Sequence, residues 1–164
     1  MSLATVEERP ILENLTQLYI HDFSEHWAGS KRGELDDAGR FDPYPLDSYW
    51  REDGRMPLLV RVNGKLAGFA LVNRWSPSGQ GVDRNMAEFF IVRKHRRAGV
   101  GAAAAGAIFE RYPGSWETAV TRRNIGAHAF WNKVIRDHPR TRDIDARDSR
   151  SELWDGLVFR FWVI

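Results

Sequence analysis

The 164-residue sequence contains no cysteine. Disulfides, metal sites with thiolate ligands and a cysteine nucleophile are therefore excluded. Long hydrophobic runs are also missing: no stretch approaches the roughly 20 apolar residues of a membrane span, and the N-terminus has no signal-peptide core. The histidines, aspartates and glutamates show no convincing metal-ligand spacing. We therefore expect a cytoplasmic protein with no membrane partner and no bound metal.

The chain also lacks an excess of charge of one sign, because its net charge is only +2. This value does not by itself indicate a nucleic-acid partner. The basic residues are instead concentrated locally, in the segment Arg93–Arg97. A chain of this length buries about 70% of its unfolded surface when it folds as one domain. Since the sequence contains no linker and no internal repeat, it predicts a single domain over residues 1–164.

The most informative segment is Met86–Phe109, which reads as a strand, a basic loop and a helix. Met86–Val92 is a short apolar run with aromatic and β-branched residues, typical of a strand covered on both faces. The alanine-rich sequence from Ala102 onward favours a helix. The loop between them contains Arg93–Arg97 and then Gly99-Val100-Gly101. Glycines allow close backbone approach, and the N–H groups and dipole of a helix N-terminus favour an anion, so the segment predicts a phosphate or pyrophosphate site.

Two kinds of cofactor site use such a unit, and one of them is the dinucleotide-binding domain. Gly99-x-Gly101-x-x-Ala104 satisfies its G-x-G-x-x-A fingerprint. In those domains the glycine turn follows its strand almost at once, whereas here six residues lie between the predicted strand and the first glycine. Only the last third of the chain remains for further βα units. A nucleotide such as NADP is therefore a less favoured ligand, as is a nucleic acid bound through the basic loop.

The flanking sequence predicts a mixed order of helices and strands around this segment. Asn63-Gly64 favours a two-residue type I′ turn between the apolar runs Pro57–Val62 and Lys65–Val72, which predicts a β-hairpin. The aromatic residues near the C-terminus are expected in the core or in the interface of a homodimer. The other predicted elements are an edge strand at Leu3–Glu8, a helix from Pro10 to about His26, a short helix within Ser30–Tyr49, strands at Trp116–Thr121, Thr141–Asp148 and Leu157–Ile164, and a helix at Gly126–Ile135 capped by Asn124.

Two sequence blocks resemble the GNAT superfamily of N-acetyltransferases. The run from Arg96 to Gly101 is similar to its pyrophosphate loop, which reads Arg/Gln-x-x-Gly-x-Gly/Ala after a strand. Asn124-x-x-Ala127, leading to the aromatic pair Phe130-Trp131, resembles the start of a later GNAT helix. The order of elements is similar along essentially the whole chain, and the sequence also looks like a subgroup of predicted bacterial acetyltransferases of unassigned substrate. The resemblance implies an α/β (α+β) fold with a mixed, mostly antiparallel central sheet, flanking helices, and strands that splay apart at the acetyl-CoA site.

The resemblance also implies roles for residues around acetyl-CoA as co-substrate. The backbone N–H groups from Arg97 to Ala102, with the charge of Arg96 or Arg97, would hold the pyrophosphate. The pantetheine would lie between the splayed strands, with a backbone N–H of Ile91 or Val92 facing the thioester oxygen. The expected cofactor contacts are Phe90, Ile91, Val92, Arg93, Arg96, Arg97, Ala98, Gly99, Val100, Gly101, Ala102, Asn124, Phe130 and Trp131.

The implied reaction moves an acetyl group from acetyl-CoA to a primary amine by direct attack in a ternary complex. The amine must lose a proton first, because an alkylamine has a pKa near that of lysine, about 10. Glu88 is the expected general base, since it lies on the predicted strand and shares a face with Phe90 and Val92. Trp131 stands where family members often have the tyrosine that protonates the leaving thiolate. Water, or another tyrosine such as Tyr44, would supply that proton here.

The acceptor would be a small-molecule or peptide amine that enters beside the first helix and the segment Ser30–Trp50. A non-catalytic acyl-CoA-binding or regulatory module is the alternative function, because Trp131 removes the usual acid. No nucleic-acid partner is expected, since acidic residues dilute the charge of the basic loop. Carboxylates in the entry segment favour a cationic acceptor such as a polyamine, an aminoglycoside or a lysine side chain, and they are Glu34, Asp36, Asp37, Asp42 and Asp47.

Overall fold

A computed structural model describes all residues from Met1 to Ile164. Seven strands form one sheet, and three α-helices pack against it, so the predicted mixed α/β class is confirmed. The helices are α1 (Arg9–Phe23), α2 (Val100–Arg111) and α3 (Ile125–Asp137). The strands are β1 (Ser2–Leu3), β2 (Met56–Val62), β3 (Lys65–Asn73), β4 (Arg84–Ile91), β5 (Gly114–Thr121), β6 (Thr141–Arg150) and β7 (Asp155–Val163).

The sheet opens at its centre. Its strands follow the order β1-β2-β3-β4-β5-β7-β6, and all neighbours are antiparallel except β4 and β5. The parallel pairing is short, since Arg84–Met86 pairs with Trp116–Thr118 and the ladder then ends. β4 continues to Ile91 and β5 to Thr121, so the two strands separate over their second halves. The mostly antiparallel sheet with splayed central strands is therefore confirmed.

Local turn and cap chemistry explains the elements that the sequence predicted well. Asn63 and Gly64 both adopt positive φ angles, 49° and 76°, as the type I′ turn of the β2–β3 hairpin requires. Asn124 caps α3, because its Oδ1 accepts a hydrogen bond from the Ala127 N–H at 3.0 Å. The hairpin and the capped helix are both confirmed.

The predicted edge strand Leu3–Glu8 is wrong beyond Leu3. The chain turns into a 3₁₀ helix at Val6–Glu8, because the Glu8 carboxylate accepts a hydrogen bond from the Thr5 N–H at 3.1 Å and closes the segment on itself. The first α-helix is also shorter than predicted. It ends at Phe23 and continues only as a 3₁₀ turn to Trp27.

The sheet separates two apolar layers. On one face, α2 and α3 cover the sheet, and Phe109 packs edge-on against Trp116 and Phe161 with ring centroids 5.3 and 5.2 Å away. On the other face, α1 and the 3₁₀ turn Asp47–Trp50 cover β2 and β3, with Leu12 fully buried. None of the helices combines the length and the hydropathy that a membrane crossing requires.

The loop between β3 and β4 is fixed to the sheet by Glu117, a fully buried residue of β5. Its carboxylate accepts hydrogen bonds from the hydroxyls of Ser76 and Ser78 at 3.0 and 2.5 Å. Arg160 on the neighbouring strand β7 completes the arrangement with an ion pair of 2.7 Å. The buried charge is thus paired and hydrogen-bonded, and it holds the loop against the sheet.

Candidate active site

The basic loop leads into the N-terminus of α2 through two left-handed residues. Arg97 and Gly99 have φ angles of 61° and 76°, and Gly99 is the N-cap of the helix. The first bond of the helix runs from the Ala103 N–H to the Gly99 carbonyl at 2.9 Å. The N–H groups of Val100, Gly101 and Ala102 precede this bond and have no partner within the helix. This arrangement suits an anionic ligand.

The side chain of Arg96 braces this loop. Its Nε donates a hydrogen bond to the Ile91 carbonyl at 2.6 Å, and its guanidinium lies 5.4 Å from the centroid of the Phe90 ring. Arg96 also pairs with Asp22 on α1, as does Arg93 through its Nε at 2.9 Å. Burial opposes ionisation of Asp22, but the hydrogen bonds from Arg96 and Arg93 hold its pKa below the usual value.

A cavity of about 580 Å³, here called the smaller cavity, lies between the end of β4, the start of α2 and α3. Its walls contain most of the residues expected to contact the cofactor: Phe90, Ile91, Arg96, Arg97, Gly99, Gly101, Ala102, Asn124, Phe130 and Trp131. Four expected contacts do not line it: Val92, Arg93, Ala98 and Val100. Arg93 instead pairs with Asp22, and 73% of its side chain is exposed.

The N–H group of Val92, one of the two alternatives expected to face the thioester oxygen, is not free to face a ligand. It donates to the Ala67 carbonyl of β3 at 2.9 Å. Backbone N–H groups alternate in direction along a strand, so that of Ile91 points away from β3, toward the gap beside β5. Of the two N–H groups expected to face a thioester oxygen, only that of Ile91 has the required direction.

Three aromatic rings form the wall between β4 and α3. Phe89 stacks on Phe130 at 5.8 Å and meets Trp131 edge-on at 5.1 Å. Trp131 is buried in this cluster. At this position, therefore, a packed indole stands beside the smaller cavity.

Glu88 lies on the opposite side of β4 and accepts hydrogen bonds from two tyrosines. The Tyr19 hydroxyl donates to its Oε2, and the Tyr44 hydroxyl donates to its Oε1 at 2.7 Å. Burial raises the pKa of Glu88 above the usual value, and the two tyrosine hydrogen bonds oppose that rise. Two hydroxyl donors, with no second carboxyl group bonded to Glu88, suit a carboxylate that is ionised yet poorly solvated.

A β-bulge sets the direction of this carboxylate. Glu88 pairs with Leu71 of β3, while Met86 pairs with the next residue, Val72, so Ala87 is the extra residue of β4. After the bulge, Glu88 faces the α1 side of the sheet, the same side as Phe90. The shared face expected for Glu88 and Phe90 is thus present.

A second cavity of about 850 Å³, here called the larger cavity, adjoins the first. Glu88 and Tyr44 line it, as do two of the five acids expected there, Glu34 and Asp42. The other three do not: Asp36 bonds the N–H groups of its own loop, Asp47 pairs with Arg9, and Asp37 lies elsewhere on the surface. The residues common to both cavities are Tyr19, Phe23, Phe89, Asn124, Ala127 and Trp131.

Sequence reasoning missed the contribution of α1 to these cavities. Tyr19, Asp22 and Phe23 line the smaller cavity, and none of them was expected there. Their spacing of three and four residues places them on one helix face, which is a usable signal. Tyr19 reads equally well as a core residue of an amphipathic helix, so its position in the fold was needed to recognise it.

Comparisons with known proteins agree with this geometry. The sequence profile of the acetyltransferase (GNAT) family matches residues 12–135. No curated protein matches the sequence of the chain. A GNAT-family acetyltransferase from Staphylococcus aureus superposes with a TM-score of 0.58 at 12% identity, covering 97% of this chain and 95% of that one.

Two further solved structures are similar. The ribosomal-protein-alanine N-acetyltransferase from Brucella melitensis has a TM-score of 0.56 at 14% identity, with 99% of this chain and 98% of that one covered. A variant of the spermidine N-acetyltransferase from Vibrio cholerae has a TM-score of 0.57 at 8% identity, with 99% and 93% covered. Identities this low show a shared fold, and family membership rests on the profile match. The chain belongs to the GNAT acetyltransferase family and is an acyl-CoA-dependent N-acetyltransferase.

Proposed function

We propose that the protein transfers an acetyl group from acetyl-CoA to a primary amine by direct attack in a ternary complex. The observation that carries the proposal is the position of Glu88. Its carboxylate faces the larger cavity, next to the wall that this cavity shares with the smaller one. An amine in the larger cavity would therefore meet a base and a thioester at the same junction.

Acetyl-CoA would occupy the smaller cavity. The N–H groups of Val100, Gly101 and Ala102, at the positive end of the α2 dipole, would bind its pyrophosphate. The pantetheine would run along the free edge of β4, where the N–H of Ile91 points into the gap. The aromatic wall around Phe130 would exclude water from the pantetheine. In this position the pantetheine would bring the thioester to the junction of the two cavities.

The chemistry needs a base and a stabilised oxyanion. Glu88 would take the proton that the amine nitrogen releases as it attacks, because its raised pKa brings it closer to that of the developing ammonium. The N–H of Ile91 would bond the thioester oxygen as negative charge develops on it. The chain has no cysteine to form a thioester intermediate, which favours direct transfer over a covalent acetyl-enzyme.

The acceptor would be a cationic amine with an apolar part. Glu34 and Asp42 add negative charge to the larger cavity beside Glu88, although Lys31 and Arg32 line it too. Aromatic rings such as Trp75 also line it and would favour contact with both apolar groups and cations. Two structural neighbours are named for spermidine and for ribosomal-protein alanine, and both acceptors present amines.

Calorimetric titration tests the binding half of this proposal. The purified protein is titrated with acetyl-CoA, with NADPH and with a short duplex DNA. We expect binding of acetyl-CoA only, and loss of that binding in Gly99→Glu, which places a carboxylate at the helix N-cap. Binding of NADPH or DNA without acetyl-CoA would contradict the proposed ligand.

A screen of primary amines for thiol release from acetyl-CoA tests the catalytic half. Polyamines, aminoglycosides and lysine-containing peptides form the first panel. We expect thiol release with at least one class, and a fall in kcat of about 10²- to 10⁴-fold in Glu88→Gln. Tight binding of acetyl-CoA without turnover across the panel would instead favour the non-catalytic acyl-CoA-binding module.

A further inference from the structure

We propose that Tyr19 is the catalytic acid that protonates the leaving thiolate of CoA, and that Glu88 returns the proton to it. This inference rests on the proposed function. Trp131 holds the position at which the family resemblance implied an acid, and an indole N–H does not serve as a proton donor at neutral pH. A side-chain acid would therefore have to come from another element that reaches the thioester.

Tyr19 is the tyrosine whose position meets this requirement. It lines both cavities, and its hydroxyl donates a hydrogen bond to Oε2 of Glu88. Tyr44 also donates to Glu88 but lines only the larger cavity, away from the predicted path of the cofactor. Only Tyr19 thus joins the base to the side from which the thiolate would leave.

The surroundings of Tyr19 fix its ring and keep its hydroxyl protonated. The ring meets Phe69 and Phe90 edge-on, with centroids 5.8 and 5.9 Å away, and packs against Phe23 at 5.6 Å. Burial raises the pKa of Tyr19 well above the usual value, and the charge of Glu88 raises it further. The phenol therefore keeps its proton across the whole neutral range.

One proton passes from the amine nitrogen to the sulfur through Glu88 and Tyr19. The acceptor reacts as the neutral amine, having left its ammonium proton in bulk water. Its nitrogen forms the bond to the acetyl carbon and gives one proton to Glu88, while the carbon–sulfur bond breaks. The sulfur takes the Tyr19 hydroxyl proton, and the Tyr19 oxygen takes the proton from Glu88. The products are the amide and the thiol, and both side chains return to their starting states.

Two acetyl donors with different leaving groups test the role. The leaving group of acetyl-CoA is a thiolate whose thiol has a pKa of about 8.5, so its departure gains from protonation. The acetyl thioester of 4-nitrothiophenol releases a much less basic thiolate, which departs without protonation. Tyr19→Phe and the matched control Tyr44→Phe each remove one hydroxyl that donates to Glu88. We expect Tyr19→Phe to lower kcat with acetyl-CoA by about 10²-fold or more. With the activated donor, we expect Tyr19→Phe and Tyr44→Phe to lower kcat by the same factor.

The outcomes separate this inference from the function on which it rests. The acid role alone would be overturned if Tyr19→Phe lowered kcat by a similar factor with both donors. It would also be overturned if Tyr44→Phe, like Tyr19→Phe, lowered kcat much more with acetyl-CoA than with the activated donor. Absence of thiol release by the wild-type protein with every amine would overturn the proposed reaction and the acid role together. If Tyr19→Phe lowers thermal stability, its circular dichroism and its affinity for acetyl-CoA show whether the folded fraction still binds the donor.

Discussion

The Tyr44 hydroxyl donates a hydrogen bond to Oε1 of Glu88 at 2.7 Å, although 44 residues separate the two in the sequence. Burial raises the pKa of Glu88, and this hydrogen bond lowers it. Tyr44 lies in the segment between α1 and β2, and Glu88 lies just after the bulge of β4. The acidity of the proposed base is thus controlled by a segment that also forms the wall of the larger cavity.

The first prediction concerns the pH dependence of kcat/KM. The base works as the carboxylate, so activity falls as the pH drops through the pKa of Glu88, above that of a free glutamate. Tyr44→Phe removes a donor that favours the charged form, so its acidic limb should move to higher pH. Tyr49→Phe is the control, because its hydroxyl does not bond Glu88. An unchanged limb in Tyr44→Phe would contradict the assignment of Glu88.

The second prediction concerns space beside the helix N-terminus. A Cβ at Gly101 would lie only 3.1 Å from the Phe130 ring, so valine there narrows the smaller cavity. We expect Gly101→Val to weaken acetyl-CoA binding by about 10- to 100-fold, in line with an overpacking cost of about 1–3 kcal/mol. Gly106→Ala is the control in the same helix, since its Cβ makes an ordinary 3.5 Å contact with His138. Calorimetry measures both, and equal affinities would place the ligand elsewhere.

The third prediction concerns the carboxylate of Asp22, which lines the smaller cavity and pairs with Arg93 and Arg96. It repels an incoming pyrophosphate and neutralises the arginines that would attract one. Asp22→Asn should therefore tighten acetyl-CoA binding by about fivefold, or about 1 kcal/mol, at low salt, and less at high salt. Arg96 keeps its place through its bond to the Ile91 carbonyl.

Asp148→Asn is the control for Asp22, because it weakens an exposed ion pair with Arg122 outside both cavities. Calorimetry at two salt concentrations compares the variants. Weaker binding in Asp22→Asn would mean that Asp22 positions the arginines for the ligand, and would contradict a net repulsion between Asp22 and the pyrophosphate.

The fourth prediction concerns stability. Glu117→Ala leaves Arg160 and the Ser76 and Ser78 hydroxyls without their buried acceptor. We expect the free energy of unfolding to fall by about 3–5 kcal/mol, the usual cost of breaking a buried ion pair. Glu52→Ala, at an exposed pair, should cost less than about 1 kcal/mol. Urea denaturation followed by circular dichroism measures both, and a similar small loss for each would show that Glu117 does not hold the loop.

The features predicted from sequence are those with local causes. The Asn63-Gly64 turn, the Asn124 cap and the loop that ends at the Gly99 N-cap of α2 each depend on the conformation of a few adjacent residues. Such residues carry the same signal in any fold. The local geometry of the glycine loop and of the capped helix therefore follows from the sequence, whereas the ion pair of Arg93 with Asp22 on α1 does not.

The remaining features depend on packing between distant segments. Tyr19 reaches Glu88 across 69 residues, and nothing in the helical pattern of α1 distinguishes it from a core residue. The extra residue Ala87 is not a glycine or a proline, so the bulge that directs Glu88 has no local signal. Glu117 reads as the exposed residue of a strand until Arg160 is placed beside it.

Initial-rate kinetics with both substrates varied test the central claim most directly. The acceptor is the best amine of the screen, and the concentrations of amine and acetyl-CoA are changed independently. Direct attack in a ternary complex predicts double-reciprocal lines that converge, and no acetylated protein by mass spectrometry after incubation with acetyl-CoA alone. Parallel lines together with a stable acetyl-enzyme would contradict it, because the acetyl group would then pass through the protein before it reaches the amine.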